Sequence, residues 1–346
     1  MKRQQFLQSL LSISALGSAS TMLGNTLLTS DTDLTPDIST KIPPYLKKGD
    51  TIGICSPAGY ISEEDIIPAI TLLKEWGFEV KNGSSIGKKD FTFGGTDVER
   101  KNDFQQMLND RSIKAILCAR GGYGVVRIID ELNFNLFKKY PKWIIGFSDI
   151  TVLHNHLSKQ TGIASIHSKM CNSFPENWTT ADPIQIETIN SIKACLTGTK
   201  MRYEAAPNLN NRFGKTSGIL IGGNLKTIET LAGTKSDIDT RNKILFVEDT
   251  GEYLYSIDRM FWNLKRTGKL NHLAGLIVGG FKIKPDENGE GFGKTLEDIV
   301  MEKVAKFKYP VCFNFPVGHQ KNNMALKCGA IHHLDISAEK TILFEK

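Results

Sequence analysis

The chain has no run of cationic side chains longer than two, as at Lys47-Lys48 and Lys88-Lys89, so its formal net charge of +6 leaves no nucleic-acid footprint. No apolar stretch is long enough to hold the protein in a bilayer as a permanent anchor. The six cysteines (Cys55, Cys118, Cys171, Cys195, Cys312 and Cys328) form no C-x-x-C pair and no metal-ligand spacing. Gly121-Gly122 lacks the Lys-Ser/Thr of a P-loop and the spacing of a dinucleotide loop, so no cofactor is expected. The absence of an internal repeat excludes solenoids and propellers.

What is present suits a globular enzyme. Hydrophobic residues make up 40% and charged residues 23% of 346 positions, which favours two folded domains over a disordered or fibrous chain. Residues 1–19 read as an export signal, with Lys2-Arg3 before an apolar Phe6–Leu16 and small residues at Gly17 to Ala19. Residues 20–44 then form a flexible leader, and the expected destination is the periplasm. Cys55, Cys118 and Cys312 lie in apolar runs, where buried thiols are expected, and sequence alone fixes no disulfide pairing.

Strand-like runs at Thr51–Cys55, Phe78–Val80, Lys114–Ala119 and Trp143–Gly146 alternate with helical patterns at Glu63–Trp76 and Asp97–Leu108. A further helix is expected through Val125-Val126 and Ile128-Ile129. This alternation predicts a parallel α/β domain over residues 45–171, with ligands beyond the carboxyl ends of its strands. Residues 172–217 read as a connecting region with one helix, Ile184–Leu196. Short strands beyond it predict a smaller α+β domain over 218–346.

Ser148 follows the apolar run that ends at Gly146. It reads either as a nucleophile on a strand-to-helix elbow or as an ordinary helix N-cap. Its neighbours do not separate these readings, because only the first glycine of G-x-S-x-G is present. A nucleophilic serine needs a base, and His319, freed by Gly318 just past a strand, competes with His167 for that role. Glu248 ends another apolar strand, where it either orients the base or forms a structural salt bridge with Arg259. The amides of Gly121-Gly122 and of Asp149 could together receive an oxyanion.

The segments Gly94–Arg100, Ala119–Gly124, Ile145–Thr151, Gly222–Leu225, Phe246–Asp249, Asp258–Met260 and Pro316–His319, with Asn323, Leu326 and Gly329 behind them, resemble the LD-carboxypeptidase family of serine peptidases. The family includes muramoyltetrapeptide carboxypeptidases and microcin-immunity hydrolases. The resemblance implies a nucleophile-elbow α/β domain joined to a smaller α+β domain, and a homodimer. It carries a Ser148, Glu248, His319 triad onto this chain, with an oxyanion hole from the Gly122 and Asp149 amides. It also places Asn224 in the substrate groove. Lys327 stands where relatives often have Pro. A carboxypeptidase further needs a cation for the terminal carboxylate, for which Arg120, beside Gly121, is the expected residue.

The expected reaction is hydrolysis of the L-to-D bond before the terminal D-Ala of murein tetrapeptides, without metal, nucleic acid or membrane anchor. Two alternatives remain at this stage: hydrolysis of acyl-adenylate or related peptide conjugates, and non-catalytic capture of muropeptides.

Overall fold

The computed structural model describes residues 40–286 and 291–345, so the expected export signal and the leader up to residue 39 lie outside it. Five parallel strands form the first sheet: β1 (Thr51–Cys55), β2 (Glu79–Asn82), β3 (Ile113–Cys118), β4 (Trp143–Gly146) and β5 (Ser165–His167). Their order is β2-β1-β3-β4-β5, which reverses direction between β1 and β3. Loops at such a reversal splay apart and leave a crevice above the strand ends. Helices α1 (Ile67–Glu75), α2 (Asp97–Asn109), α3 (Asn135–Lys139) and α4 (Thr151–Thr161) connect or flank these strands. The start of α2 is fixed by a reciprocal cap, in which Thr96 accepts from the Glu99 amide and Glu99 from the Thr96 amide.

Helix α5 (Pro183–Leu196) begins at a proline in its first turn, capped by Asp182. Beyond it come β6 (Arg202–Ala205), β7 (Gly214–Asn224), α6 (Leu225–Thr230), β8 (Ile244–Glu252), α7 (Leu254–Arg266), β9 (Gly275–Ile283), α8 (Leu296–Val304), β10 (Val311–Cys312), β11 (Leu326–Cys328), β12 (Ile331–Ile336) and β13 (Thr341–Glu345). Seven of these strands form the second sheet, in the order β10-β9-β8-β7-β12-β13-β6. Strands β7 to β10 are parallel, while β12, β13 and β6 pair antiparallel. The Asp258 carboxylate pairs with the buried Lys303 and so clasps α7 to α8.

Strand β11 leaves its sequence neighbours and adds an antiparallel edge to the first sheet, with Leu326 opposite His167. One apolar core accordingly runs through both sheets and includes Ile54, Trp143 and Ile166 together with Leu220, Phe246 and Phe315. The described residues form a single compact unit. Lys327, in the crossing strand, is fully buried; its ammonium donates to Glu345 at 2.9 Å and to the Thr199 carbonyl at 3.0 Å. A buried cation needs such partners.

Two local expectations change. The segment after Gly124 forms 3₁₀ turns at Val125–Arg127 and Ile129–Glu131 instead of a helix. Its β-branched residues lose side-chain freedom in a helix, and the Asp149 carboxylate takes the Val125 amide at 2.8 Å. The strand expected just before His319 is shorter: the run from Val311 to Phe315 is a strand only as far as Cys312, because Asn314 turns to a positive φ of 56°.

Candidate active site

Strand β4 is buried along its length, and the chain turns sharply beyond it. Phe147 is extended, but Ser148 has a φ of 61°, a conformation non-glycine residues rarely adopt. Such strain is characteristic of a nucleophile elbow, which lifts the hydroxyl clear of the strand. Neither the 3₁₀ turn Ser148–Ile150 nor α4 receives a side-chain cap, so the N-cap reading of Ser148 is not realised. Its half-buried hydroxyl borders a cavity of about 360 Å³ with Gly122, Asp149, Asn224, Lys226, Asp249 and Glu252 in the lining.

Gly121 and Gly122 lie on the loop after β3. A Cβ on Gly121 would sit 3.1 Å from that of Ser148, so a side chain there would crowd the elbow. The Gly121 carbonyl accepts from the Gly59 amide at 2.9 Å, which joins the loops after β1 and β3. Arg100 reinforces this join. Its guanidinium is buried and donates to the carbonyls of Pro57 at 2.6 Å and Gly124 at 3.0 Å. The conspicuous Gly94–Arg100 motif thus acts as a strap behind the glycine loop, a role that sequence reasoning did not assign. Outside the helical turns, neither the Gly122 nor the Asp149 amide has an acceptor among the described residues.

Glu248 is fully buried on β8. Its Oε2 accepts from His319 Nδ1 at 2.5 Å and from the His319 amide at 3.2 Å. The expected alternative, a salt bridge to Arg259, is not formed: Arg259 lies over the Tyr255 ring at 5.3 Å. A carboxylate only accepts, so Nδ1 carries the proton and Nε2 is left as the basic nitrogen. Gly318 makes the pairing feasible. A Cβ there would fall 2.4 Å from Glu248 Cβ, and its φ of +104° suits glycine. The buried Asn323 accepts from the Gly318 amide at 2.7 Å, and Lys169 holds the Gln320 carbonyl at 2.8 Å.

The His319 ring packs 4.9 Å from that of Phe147, the residue before Ser148, so the base-and-acid pair sits beside the elbow. No hydrogen bond joins Ser148 to His319 among the described residues; such bonds often tighten only when substrate is bound. The cavity lining includes neither His319 nor His167; what sets His167, the competing base, apart is that it is fully buried behind Phe147 and Phe246, whereas His319 is partly exposed. Burial, with His154 and His319 nearby, holds its imidazole well below the ordinary value and keeps it neutral.

Asn224 caps α6 through its side-chain oxygen, which accepts from the Thr227 amide at 2.9 Å. Its amide nitrogen donates to Asp249 at 2.9 Å. Burial pushes the carboxyls of Asp149 and Asp249 up to about 6, against the hydrogen bonds each accepts. Arg120 is exposed, donates to the Tyr60 carbonyl at 3.0 Å and does not line the cavity, where Lys226 is the cation instead.

Residues 52–168 match the LD-carboxypeptidase N-terminal domain family and residues 217–334 its C-terminal domain family. A probable murein peptide carboxypeptidase of Bacillus subtilis (strain 168) is 35% identical over 306 residues, spanning 88% of this chain and 94% of its own length. The crystal structure of a muramoyltetrapeptide carboxypeptidase from Oxalobacter formigenes superposes with a TM-score of 0.74 at 29% identity, covering 85% of this chain and 98% of that one. The microcin C7 self-immunity protein MccF of Escherichia coli is 25% identical, over 87% of this chain and 95% of its own length. The chain belongs to the LD-carboxypeptidase family.

Proposed function

We propose that this serine-type LD-carboxypeptidase removes the terminal D-Ala from murein tetrapeptides, with Ser148 as nucleophile, His319 as base and Glu248 as the acid that orients it. One observation carries the assignment: the buried Glu248 holds His319 Nδ1 at 2.5 Å beside an elbow whose serine hydroxyl caps no helix. The Ser148 hydroxyl gives its proton to His319 Nε2 as Oγ attacks the carbonyl before D-Ala. Glu248 stabilises the resulting imidazolium. The tetrahedral oxyanion rests on the Gly122 and Asp149 amides. Collapse gives an acyl-enzyme and free D-Ala, after His319 returns the proton to the leaving amine. Water, activated by the same imidazole, then frees the shortened peptide.

The murein names of two relatives support this substrate. The alternative, an acyl-adenylate conjugate, is tested by incubating the enzyme with a tetrapeptide and with an aminoacyl sulfamoyl adenosine competitor in parallel. Tetrapeptide turnover that the competitor leaves unchanged supports the murein reading; no tetrapeptide turnover contradicts it. Fluorophosphonate labelling of Ser148 excludes a non-catalytic binding protein. Export directed by residues 1–19 and a homodimer complete the proposal; fractionation of cells and sedimentation of the purified protein test them.

A further inference from the structure

Glu248 has a second carboxylate oxygen, Oε1, with no hydrogen-bond partner among the described residues. The side chain is fully buried, and a buried, unpaired carboxylate oxygen is costly. His167 Nε2 lies 4.0 Å from that oxygen. His167 is equally buried, and neither of its ring nitrogens has a partner. Two incomplete polar groups thus face each other in a buried wall that also holds the His154 ring, 6.1 Å from that of His167, and that Phe147 and Phe246 complete by meeting the imidazole edge-on at 5.8 and 5.0 Å.

We propose that His167 is a positioning residue that donates its Nε2–H to Glu248 Oε1 and so holds the carboxylate for its partnership with His319. The separation is too long for a direct bond, but a slight rotation of the ring or one bridging water closes it. The neutral ring suits the role. It offers one N–H donor without placing a second cation beside Glu248, where it would compete with the imidazolium formed on His319. With Oε1 held, the carboxylate keeps Oε2 on the Nδ1 and amide hydrogens of His319. The backbone supports this placement, because His167 pairs with Gly146 on one side and with Leu326 of the crossing strand β11 on the other.

The inference rests on the triad reading above, and the test separates the two. Tetrapeptide turnover is measured for wild type, Ser148→Ala, His167→Phe and His167→Gln in one assay, with folding checked by circular dichroism. Phenylalanine keeps the aromatic packing but offers no donor. Misplacement of the base by a fraction of an ångström is then expected to lower kcat about 10–100-fold, with KM within about 2-fold. Glutamine restores an N–H near the Nε2 position and is expected to recover kcat to within about 3-fold of wild type. If His167→Phe does not fold, His167→Leu carries the same comparison. The proposal is overturned if the donor-less variant keeps wild-type kcat, or if His167→Gln is slowed as much as it is. Near-normal turnover by Ser148→Ala would overturn the triad reading itself, whatever the His167 variants do.

Discussion

A single oxygen of Glu248 holds His319 twice, accepting from the ring nitrogen at 2.5 Å and from the backbone amide at 3.2 Å. The ring cannot turn without losing one bond, and the loop cannot shift without losing the other. Glu248→Gln is therefore expected to preserve the fold but present an amide where the imidazole needs an acceptor. The wrong tautomer then faces Ser148, and kcat should fall by roughly 10³–10⁴-fold. Steady-state kinetics with a circular dichroism control would measure this; a loss below tenfold would contradict the assignment.

Ser148 has a positive φ of 61°, which gives two inactive variants different stabilities. Alanine keeps the strain of a left-handed backbone, about 1–2 kcal/mol, whereas glycine relieves it. Ser148→Gly should accordingly melt no lower than Ser148→Ala, the reverse of the usual preference for alanine. Thermal denaturation of the two proteins tests the backbone conformation independently of activity.

The Asp249 carboxyl, pushed up to about 6 by burial, gives a pH signature. An ordinary aspartate releases its proton near pH 4, so between roughly pH 4 and 6 the folded protein keeps a proton that the unfolded chain has lost. Its contribution to stability is present below that window and is lost as the pH rises through about 6. The Tm of Asp249→Asn relative to wild type should therefore improve from pH 4 to pH 7. A difference independent of pH would contradict the placement.

All six cysteines are buried as free thiols, and burial pushes Cys195 and Cys328 up to about 12. Thiolates are the reactive form, so a thiol reagent should modify none of them in the native protein and all six after unfolding. Rapid labelling of the native state would contradict the buried arrangement.

Much of this was legible in the sequence, because strand ends, small loops and charged residues after apolar runs are local signals. Ser148, Glu248 and His319 all lie just past apolar runs, which made them candidates, and the family resemblance singled them out without a structure. Glu248's partner was named by the resemblance and not by the residues around it. His319 and Arg259 were both plausible on chemistry, and only the path of the Gly318 loop decides between them. His167 could not be separated from His319 as a base, because its burial is created by the second sheet and by β11. Where Arg120 lies was not legible for a related reason: its neighbour Gly121 faces the elbow, but its own side chain follows the loop toward Tyr60. The Gly94–Arg100 strap acts through carbonyls of other loops, and sequence carries no mark of them.

The most direct test is mass spectrometry of a murein tetrapeptide digested by the purified protein, with Ser148→Ala run beside it. The expected result is loss of a single alanine, recovered as the D isomer, with wild type only. No shortening by wild type, cleavage at an internal bond, or equal cleavage by Ser148→Ala would contradict it.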